Sequence, residues 1–380
     1  MRRPAPAAAA RCRDRLASPT ATARRSPTAT SHRTRTPRAP AQAPSGSYAA
    51  ERPAVCPGQP TAGRRSAITT STKRCRGATE APMASAELRA AVQRIRDRRH
   101  QPAAAQAAEQ RPRAAAAAAA AAVVDVAVTP VDAGGVRGEW VLAARADADR
   151  RVLYLHGGGY TGGSATSHRQ LVARISAASG CAMLSLDYRL APAAPFPAAV
   201  DDAVAALRWM HEQGPRGPAP ASATFLAGDS AGGGLALAVL FQARDRGLPM
   251  PRAAVTLSAW TDLAGTGASL HTRAQADPMV NGRALGATAL AYLGSADARD
   301  PLASPLYGDF RELPPLLLQV GDAEVLLDDT LRVAERARTA GVRVTVEVEP
   351  EAPHVYQLAA AEAPEAQAAV RRIGAFLQQH

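Results

Sequence analysis

Ser230 stands in the pentad Gly228-Asp229-Ser230-Ala231-Gly232, and further upstream His156 opens the run His156-Gly157-Gly158-Gly159-Tyr160. A serine hydroxyl is a weak nucleophile until a base takes its proton. In a G-x-S-x-G turn the chain passes from strand to helix so sharply that the serine is strained and exposed, its Oγ above the sheet. Ala223-Thr224-Phe225-Leu226-Ala227 reads as a short buried strand before it, and Gly233 to Leu240 as the start of a helix after it. The glycine run follows another strand-like stretch, Val152-Leu153-Tyr154-Leu155. Glycines can turn backbone N–H groups toward one point, which suits the negative oxygen of an attacked carbonyl. A plain surface glycine turn is the alternative. The two motifs together carry more weight than either alone.

HGGGY, then Asp187-Tyr188-Arg189-Leu190-Ala191-Pro192, then GDSAGG together resemble the hormone-sensitive-lipase-like branch of the α/β-hydrolases. The resemblance runs from about Met83 to the C-terminus. It implies a Ser–acid–His triad, an oxyanion hole and a helical cap over an acyl pocket. It makes Ser230 the nucleophile and the backbone N–H groups of Gly158, Gly159 and Ala231 the oxyanion donors. His156 would brace the glycine loop rather than act as a base, and Tyr160 and Asp229 are assigned to the substrate pocket.

The triad order is Ser, then acid, then His. After Ser230 the histidines are His271, His354 and His380. His380 is terminal, and His271 precedes any plausible acid strand. His354 follows the strand-like Val342 to Val348 in the loop Glu349-Pro350-Glu351-Ala352-Pro353-His354, where the family places its base. A surface-loop histidine is the bland reading. For the acid, the strand candidate Pro314 to Val320 leads into Gly321-Asp322-Ala323-Glu324-Val325-Leu326-Leu327-Asp328-Asp329. The family pattern Gly-x-x-Asp-x-Leu-x-Asp puts the acid at Glu324, a departure from its commonest form. Glutamate suffices, because the acid need only accept the imidazole Nδ1–H and fix its tautomer. Asp322 is the runner-up. Asp328 and Asp329 are expected to cap or charge the next helix.

Other family-like stretches read as structure. Asp187 to Pro192 ends the strand Ala182 to Leu186, and Ala193 and Ala194 stand where the family often has a glutamate, so a supporting ion pair is expected to be missing. Trp260-Thr261-Asp262-Leu263 follows the strand Ala253 to Ser258 and is expected to fix the entry to the cap, with Asp262 structural. Cys181 reads as a small buried hydrophobe.

The elements needed to position these residues lie in one part of the chain. The whole sequence carries 45 Lys+Arg and 33 Asp+Glu, of which 16 and 3 fall in residues 1–82, leaving 29 and 30. The formal charge of +12 therefore belongs to the tail. Residues 1–82 are rich in Arg, Ala, Pro, Ser and Thr, lack hydrophobic periodicity and are expected to be a disordered, basic, low-complexity tail. Attraction to phosphate or an organelle transit role are alternatives; an overextended gene start, with Met83 the native start, is the favoured reading. Cys12, Cys56 and Cys75 lie in the tail and only Cys181 beyond it, which excludes a disulfide framework there and fits a reducing cytoplasm. No membrane span is visible; the run Ala114 to Ala122 is too weakly hydrophobic to count.

Residues 83–380 are long enough for one large core. Strand signals (Val123 to Val128, Val136 to Leu142 and those before each motif) alternate with helix signals at Asp201 to Glu212, Leu331 to Thr339 and Ala363 to Gln378. That predicts an α/β class with a mostly parallel sheet covered on both faces, and ligands at the carboxyl ends of its strands. With the resemblance, this becomes an α/β-hydrolase domain whose cap comes from helices at about 83–122 and an insertion around Thr266 to Gly294. The expected activity is a serine carboxylesterase for short- to medium-chain esters. Lactone, acetylated-metabolite, amide or thioester hydrolysis by the same residues is the alternative. A ligand receptor without chemistry, or a nucleic-acid protein working through the tail, stands further off. No metal or organic cofactor is called for. The expected partner is a small-molecule ester; no nucleic acid is expected, and a homodimer is left open.

Overall fold

The computed structural model describes residues 84–99 and 124–380. The basic tail, the start at Met83, the run Ala114 to Ala122 and the second part of the N-terminal cap lie outside them. Among the described residues the chain builds an eight-stranded sheet. Two antiparallel strands, β1 (Val126–Asp132) and β2 (Arg137–Ala143), form one edge. Pro130 sits in β1 and is tolerated because an edge strand needs ladder bonds on one side only. Then come β3 (Asp147–Leu155) and β4 (Cys181–Leu186), and further on β7 (Ala223–Asp229), β8 (Ala254–Leu257), β9 (Leu316–Gly321) and β10 (Val344–Glu349). Two two-residue strands, β5 (Gln213–Gly214) and β6 (Gly217–Pro218), form a separate ribbon. The order in the main sheet is β1-β2-β4-β3-β7-β8-β9-β10, parallel from β4 to β10.

Alternate side chains of the central strands feed two separate cores. Leu153, Leu155 and Leu226 point to one face, and Val152, Tyr154 and Phe225 to the other. The first face carries α3 (Ala198–Glu212), α4 (Ala231–Asp245) and α7 (Leu327–Thr339). The second carries α1 (Ala86–Arg99), α2 (Ala165–Ser179) and α8 (Pro364–Gln378). In α8, Ala366, Ala369, Val370, Ile373 and Leu377 repeat at helical spacing and are buried. Ile373, fully buried, contributes roughly 2 kcal/mol from area alone. Helix α4 is apolar on nearly every side, because sheet, α3 and the segment beyond β8 enclose it. The insertion holds α5 (Ser269–Thr272) and α6 (Gly282–Leu293). The N-terminal helix is tied down by Ser85, whose N–H and hydroxyl donate to Glu365 at 2.5 and 2.8 Å.

Strand β3 begins earlier than its apolar run. Its first residues, Asp147 to Arg150, are mostly charged and none is buried, so their pattern carries no burial signal. Arg151 lies fully buried within it. Its guanidinium donates to the carbonyls of Ala148, Met210 and Ala219 at 2.8, 2.9 and 2.9 Å, anchoring the β5–β6 ribbon.

Helix α4 starts so close to β3 that a Cβ at Gly232 would stand 1.9 Å from the Leu155 carbonyl oxygen and 2.6 Å from that of His156. Both obstacles are backbone and cannot swing aside. Gly232→Ala is therefore expected to destabilise the protein by about 3 kcal/mol, read as a lowered denaturant midpoint. An unchanged midpoint would show that the turn can open without cost.

Candidate active site

The site is built at the carboxyl ends of β3, β7, β9 and β10. Between β7 and α4, Ser230 has φ 52° and ψ −121°, a region that strains any residue with a side chain. Backbone bonds hold it there. Its N–H donates to the Leu257 carbonyl at 2.8 Å, and its own carbonyl accepts from Gly233, Gly234 and Trp260 at 3.0, 3.1 and 2.9 Å.

His354 arrives from the loop after β10 and Glu324 from the loop after β9. His354 Nε2 lies 2.9 Å from Ser230 Oγ, and its Nδ1 lies 3.1 Å from Glu324 Oε1. Glu324 is fully buried, and its other oxygen accepts from Ser258 Oγ at 2.7 Å and from the Gly321 N–H at 3.1 Å. Ser258 also receives the Val355 N–H at 2.9 Å, so one hydroxyl joins the acid to the histidine loop. Asp322 turns away from the histidine and accepts from the Glu351 N–H at 2.7 Å. Burial alone would lower the pKa of His354. The charge and hydrogen bond of Glu324 outweigh it, aided by Asp277 and Asp229, and the pKa stands above its ordinary value.

Gly158 and Gly159 have φ of +125° and +64°. A Cβ at Gly158 would meet the Gly162 carbonyl oxygen at 2.2 Å. The Gly158 carbonyl accepts from Thr161 and Gly162 N–H, while the N–H groups of Gly158, Gly159 and Ala231 find no acceptor among the described residues. His156, buried, stacks on Tyr188 at 4.4 Å between ring centroids, and its Nδ1 is 2.7 Å from the Gly157 carbonyl. It lies within the loop's support, away from Ser230 Oγ's base.

Two residues expected to line the substrate pocket face inward instead. Tyr160 is 1 % exposed and stacks on Tyr292 at 3.7 Å. Asp229 is 2 % exposed, and its Oδ1 accepts from Tyr154 OH at 2.7 Å and from the Gly157 N–H at 3.0 Å. The open space is elsewhere. A cavity of about 660 Å³ lies between the Trp260–Gly265 loop and helices α5 and α6, walled by Trp260, Leu263, Leu270 and Leu285. Ser230, Glu324 and His354 do not line it. One turn beyond Leu285, the Thr288 methyl crowds Gly159, so α6 runs from the cavity to the glycine loop.

The ion pair expected to be missing near Ala193 has another source: Arg189 grips Asp202 of α3 through three contacts of 2.7–2.9 Å. Among the described residues no cluster of His, Cys, Asp or Glu is arranged to hold a metal ion, and no helix is long and apolar enough to cross a membrane. Cys181 is buried and free.

The family model for the alpha/beta hydrolase fold matches residues 152–358. The acetyl-hydrolase of Streptomyces hygroscopicus is 48% identical over 248 residues, 65% of this chain and 81% of that protein. An esterase of Acinetobacter venetianus is 33% identical over 252 residues, 66% of this chain and 82% of its own length. Among solved structures, an esterase from the bacterial hormone-sensitive lipase family superposes with a TM-score of 0.71 at 43% identity, covering 78% of this chain and 98% of that one. The chain belongs to the α/β-hydrolases, in their hormone-sensitive-lipase-like branch. It is a carboxylic ester hydrolase.

Asp328 and Asp329 both fall in the first turn of α7, as expected of residues that charge a helix start, and neither makes a capping hydrogen bond there. Asp328 Oδ2 accepts from the Ser269 N–H at 2.9 Å, tying down the insertion. Asp329 Oδ2 accepts from the Thr261 and Asp262 N–H groups at 2.7 and 2.9 Å. Asp262 in turn binds Thr266, Tyr307 and Arg332. Burial, with the charge of Asp262, pushes Asp329 up to about 7, although the Thr261 N–H opposes the shift. A carboxyl raised from 3.8 keeps its proton in the fold after the unfolded chain has lost it. Stability is then full below about pH 4 and falls as pH rises toward 7, by about 1.4 kcal/mol per unit inside that window. Asp329→Asn, which keeps the acceptor oxygen, is expected to flatten this fall in melting temperatures measured from pH 4 to 8. A slope equal to that of the wild type would contradict the assignment.

Proposed function

We propose that the protein is a serine carboxylesterase for short- to medium-chain acyl esters, with Ser230 as nucleophile, His354 as general base and Glu324 as the acid that orients it. The observation that carries this reading is the unbroken line of contacts from Ser230 Oγ through His354 to Glu324, at 2.9 and 3.1 Å. His354 Nε2 takes the Oγ proton as Oγ bonds to the ester carbonyl carbon. The oxyanion then rests on the N–H groups of Gly158, Gly159 and Ala231, and loss of one such donor typically costs about a hundredfold or more. Collapse of the intermediate breaks the bond to the alcohol oxygen, which receives the proton from His354. Water, deprotonated by the same imidazole, attacks the acyl-serine and releases the acid. Glu324 keeps Nδ1–H in place and offsets the imidazolium charge in both halves. The name of the Streptomyces relative, an acetyl-hydrolase, supports acyl groups of modest length.

Turnover of p-nitrophenyl esters from acetate to laurate tests this directly. Ser230→Ala is expected to lose about 10⁶-fold in kcat and Glu324→Gln about 10⁴-fold, with wild-type activity greatest at short chains, while Asp322→Asn stays within a few-fold. Loss in Asp322→Asn with retention in Glu324→Gln would exchange the two acids.

The base works only unprotonated, and its pKa is held above 6.5. The acid limb of kcat/KM is therefore expected to have its midpoint above pH 6.5 and to move toward acid in Glu324→Gln, where burial is left to lower the pKa. A limb unmoved by that substitution would show that another group sets it.

A further inference from the structure

We propose that His168 is a positioning residue for ester hydrolysis: held as an imidazolium against Asp229, it fixes the carboxylate that ties the glycine loop to the nucleophile elbow. The inference rests on the serine-esterase reading above. Asp229 immediately precedes Ser230, and its Oδ1 receives the N–H of Gly157, the residue just before the two glycine donors. One carboxylate thus joins the two halves of the reacting site. It packs flush against the loop, since a Cβ on Gly157 would come within 2.2 Å of Asp229 Oδ2.

An ionised carboxylate this deeply buried needs a cation as well as hydrogen bonds, because leaving one partner of a buried pair alone costs about 3–5 kcal/mol. His168 Nε2 lies 3.3 Å from Asp229 Oδ2. The other ring nitrogen faces acceptors too. His168 Nδ1 is 2.9 Å from Ser167 Oγ and 3.3 Å from the Ser164 carbonyl. The Ser164 carbonyl can only accept, and the Ser167 hydroxyl, 2.8 Å from that carbonyl, leaves its oxygen open to the ring. With a carboxylate at Nε2 and a carbonyl at Nδ1, the acceptors favour hydrogen on both nitrogens, which is the imidazolium. The position near the start of α2 works against a cation, so the charge answers Asp229 rather than the helix. Burial would lower the pKa of His168, but the charge and hydrogen bond of Asp229 outweigh it. The remaining titratable groups around the ring are His156, stacked on it at 5.5 Å, and Tyr154 at 6.4 Å, with Asp187 accepting the Ala165 N–H one turn away. His156 is kept neutral by burial, its pKa lowered.

The test compares the full-length wild type with His168→Leu, His168→Gln and Ser230→Ala, using p-nitrophenyl acetate, together with imidazole NMR titration of the wild type. A loop displaced by an ångström costs on the order of 10²-fold. His168→Leu is therefore expected to lose about that much kcat with KM nearly unchanged, and His168→Gln, which can still donate to Asp229, to recover part of it. The His168 resonance is expected to titrate above 6.5. A midpoint below 6.5, or full kcat in His168→Leu, would overturn the proposal even if that variant or its glutamine counterpart folds poorly. Activity surviving in Ser230→Ala would instead overturn the serine-esterase reading, so the two failures are distinguishable.

Discussion

Everything in the site hangs on the backbone turn at Ser230. A residue with a side chain is held at φ 52° because four backbone hydrogen bonds converge on its N–H and carbonyl. A positive φ of this kind costs on the order of 1–3 kcal/mol, and each of those bonds is worth about 1 kcal/mol net. The bonds therefore outweigh the strain. The turn also forces α4 against the end of β3, and with it the glycine loop. Ser230 and the proposed oxyanion donors are thereby set in one frame. Helix α4 is buried on nearly all sides, so the frame cannot relax without opening the core.

Around that turn, charge is buried in matched pairs. Glu324 meets His354 on one side of Ser230, and Asp229 meets His168 on the other. Each carboxylate also receives further donors, Ser258 and Gly321 in the first case and Tyr154 and Gly157 in the second. Those donors aim the carboxylates; His168 balances the charge of Asp229, while His354 would do so for Glu324 only after taking the serine proton. Asp329 shows the opposite case. It is buried beside the carboxylate of Asp262, its donors being the Thr261 and Asp262 N–H groups and the Thr261 hydroxyl, and so it holds a proton up to about pH 7.

The parallel sheet and its two covering layers were legible because strands buried on both faces are apolar throughout, as in Cys181–Leu186 and Leu316–Gly321. Ser230, Glu324 and the glycine run each follow such a strand in the sequence, whereas His354 follows β10, whose alternating and partly exposed residues mark a sheet edge. His168 was not legible: it lies in the first turn of a helix, and only the tertiary fold brings it to Asp229. Ser258 looked like the end of a strand, and nothing in its neighbours shows that it would hold two loops together. Tyr160 and Asp229 misled because closeness in sequence to a reacting residue does not say which way a side chain turns. The polar start of β3 and the Arg151 anchor escaped notice because an internal arginine reads as surface until its carbonyl partners are assembled.

On the proposed mechanism, an oxygen formed at Ser230 faces the N–H groups of Gly158, Gly159 and Ala231. A crystal structure of the protein after reaction with a p-nitrophenyl alkylphosphonate measures this directly, since the bound phosphonyl group mimics the tetrahedral intermediate. Phosphorus is expected on Ser230 Oγ, with one phosphonyl oxygen within about 2.7–3.1 Å of those nitrogens. Phosphorus on another residue, or an oxygen turned away from the glycine loop, would contradict it.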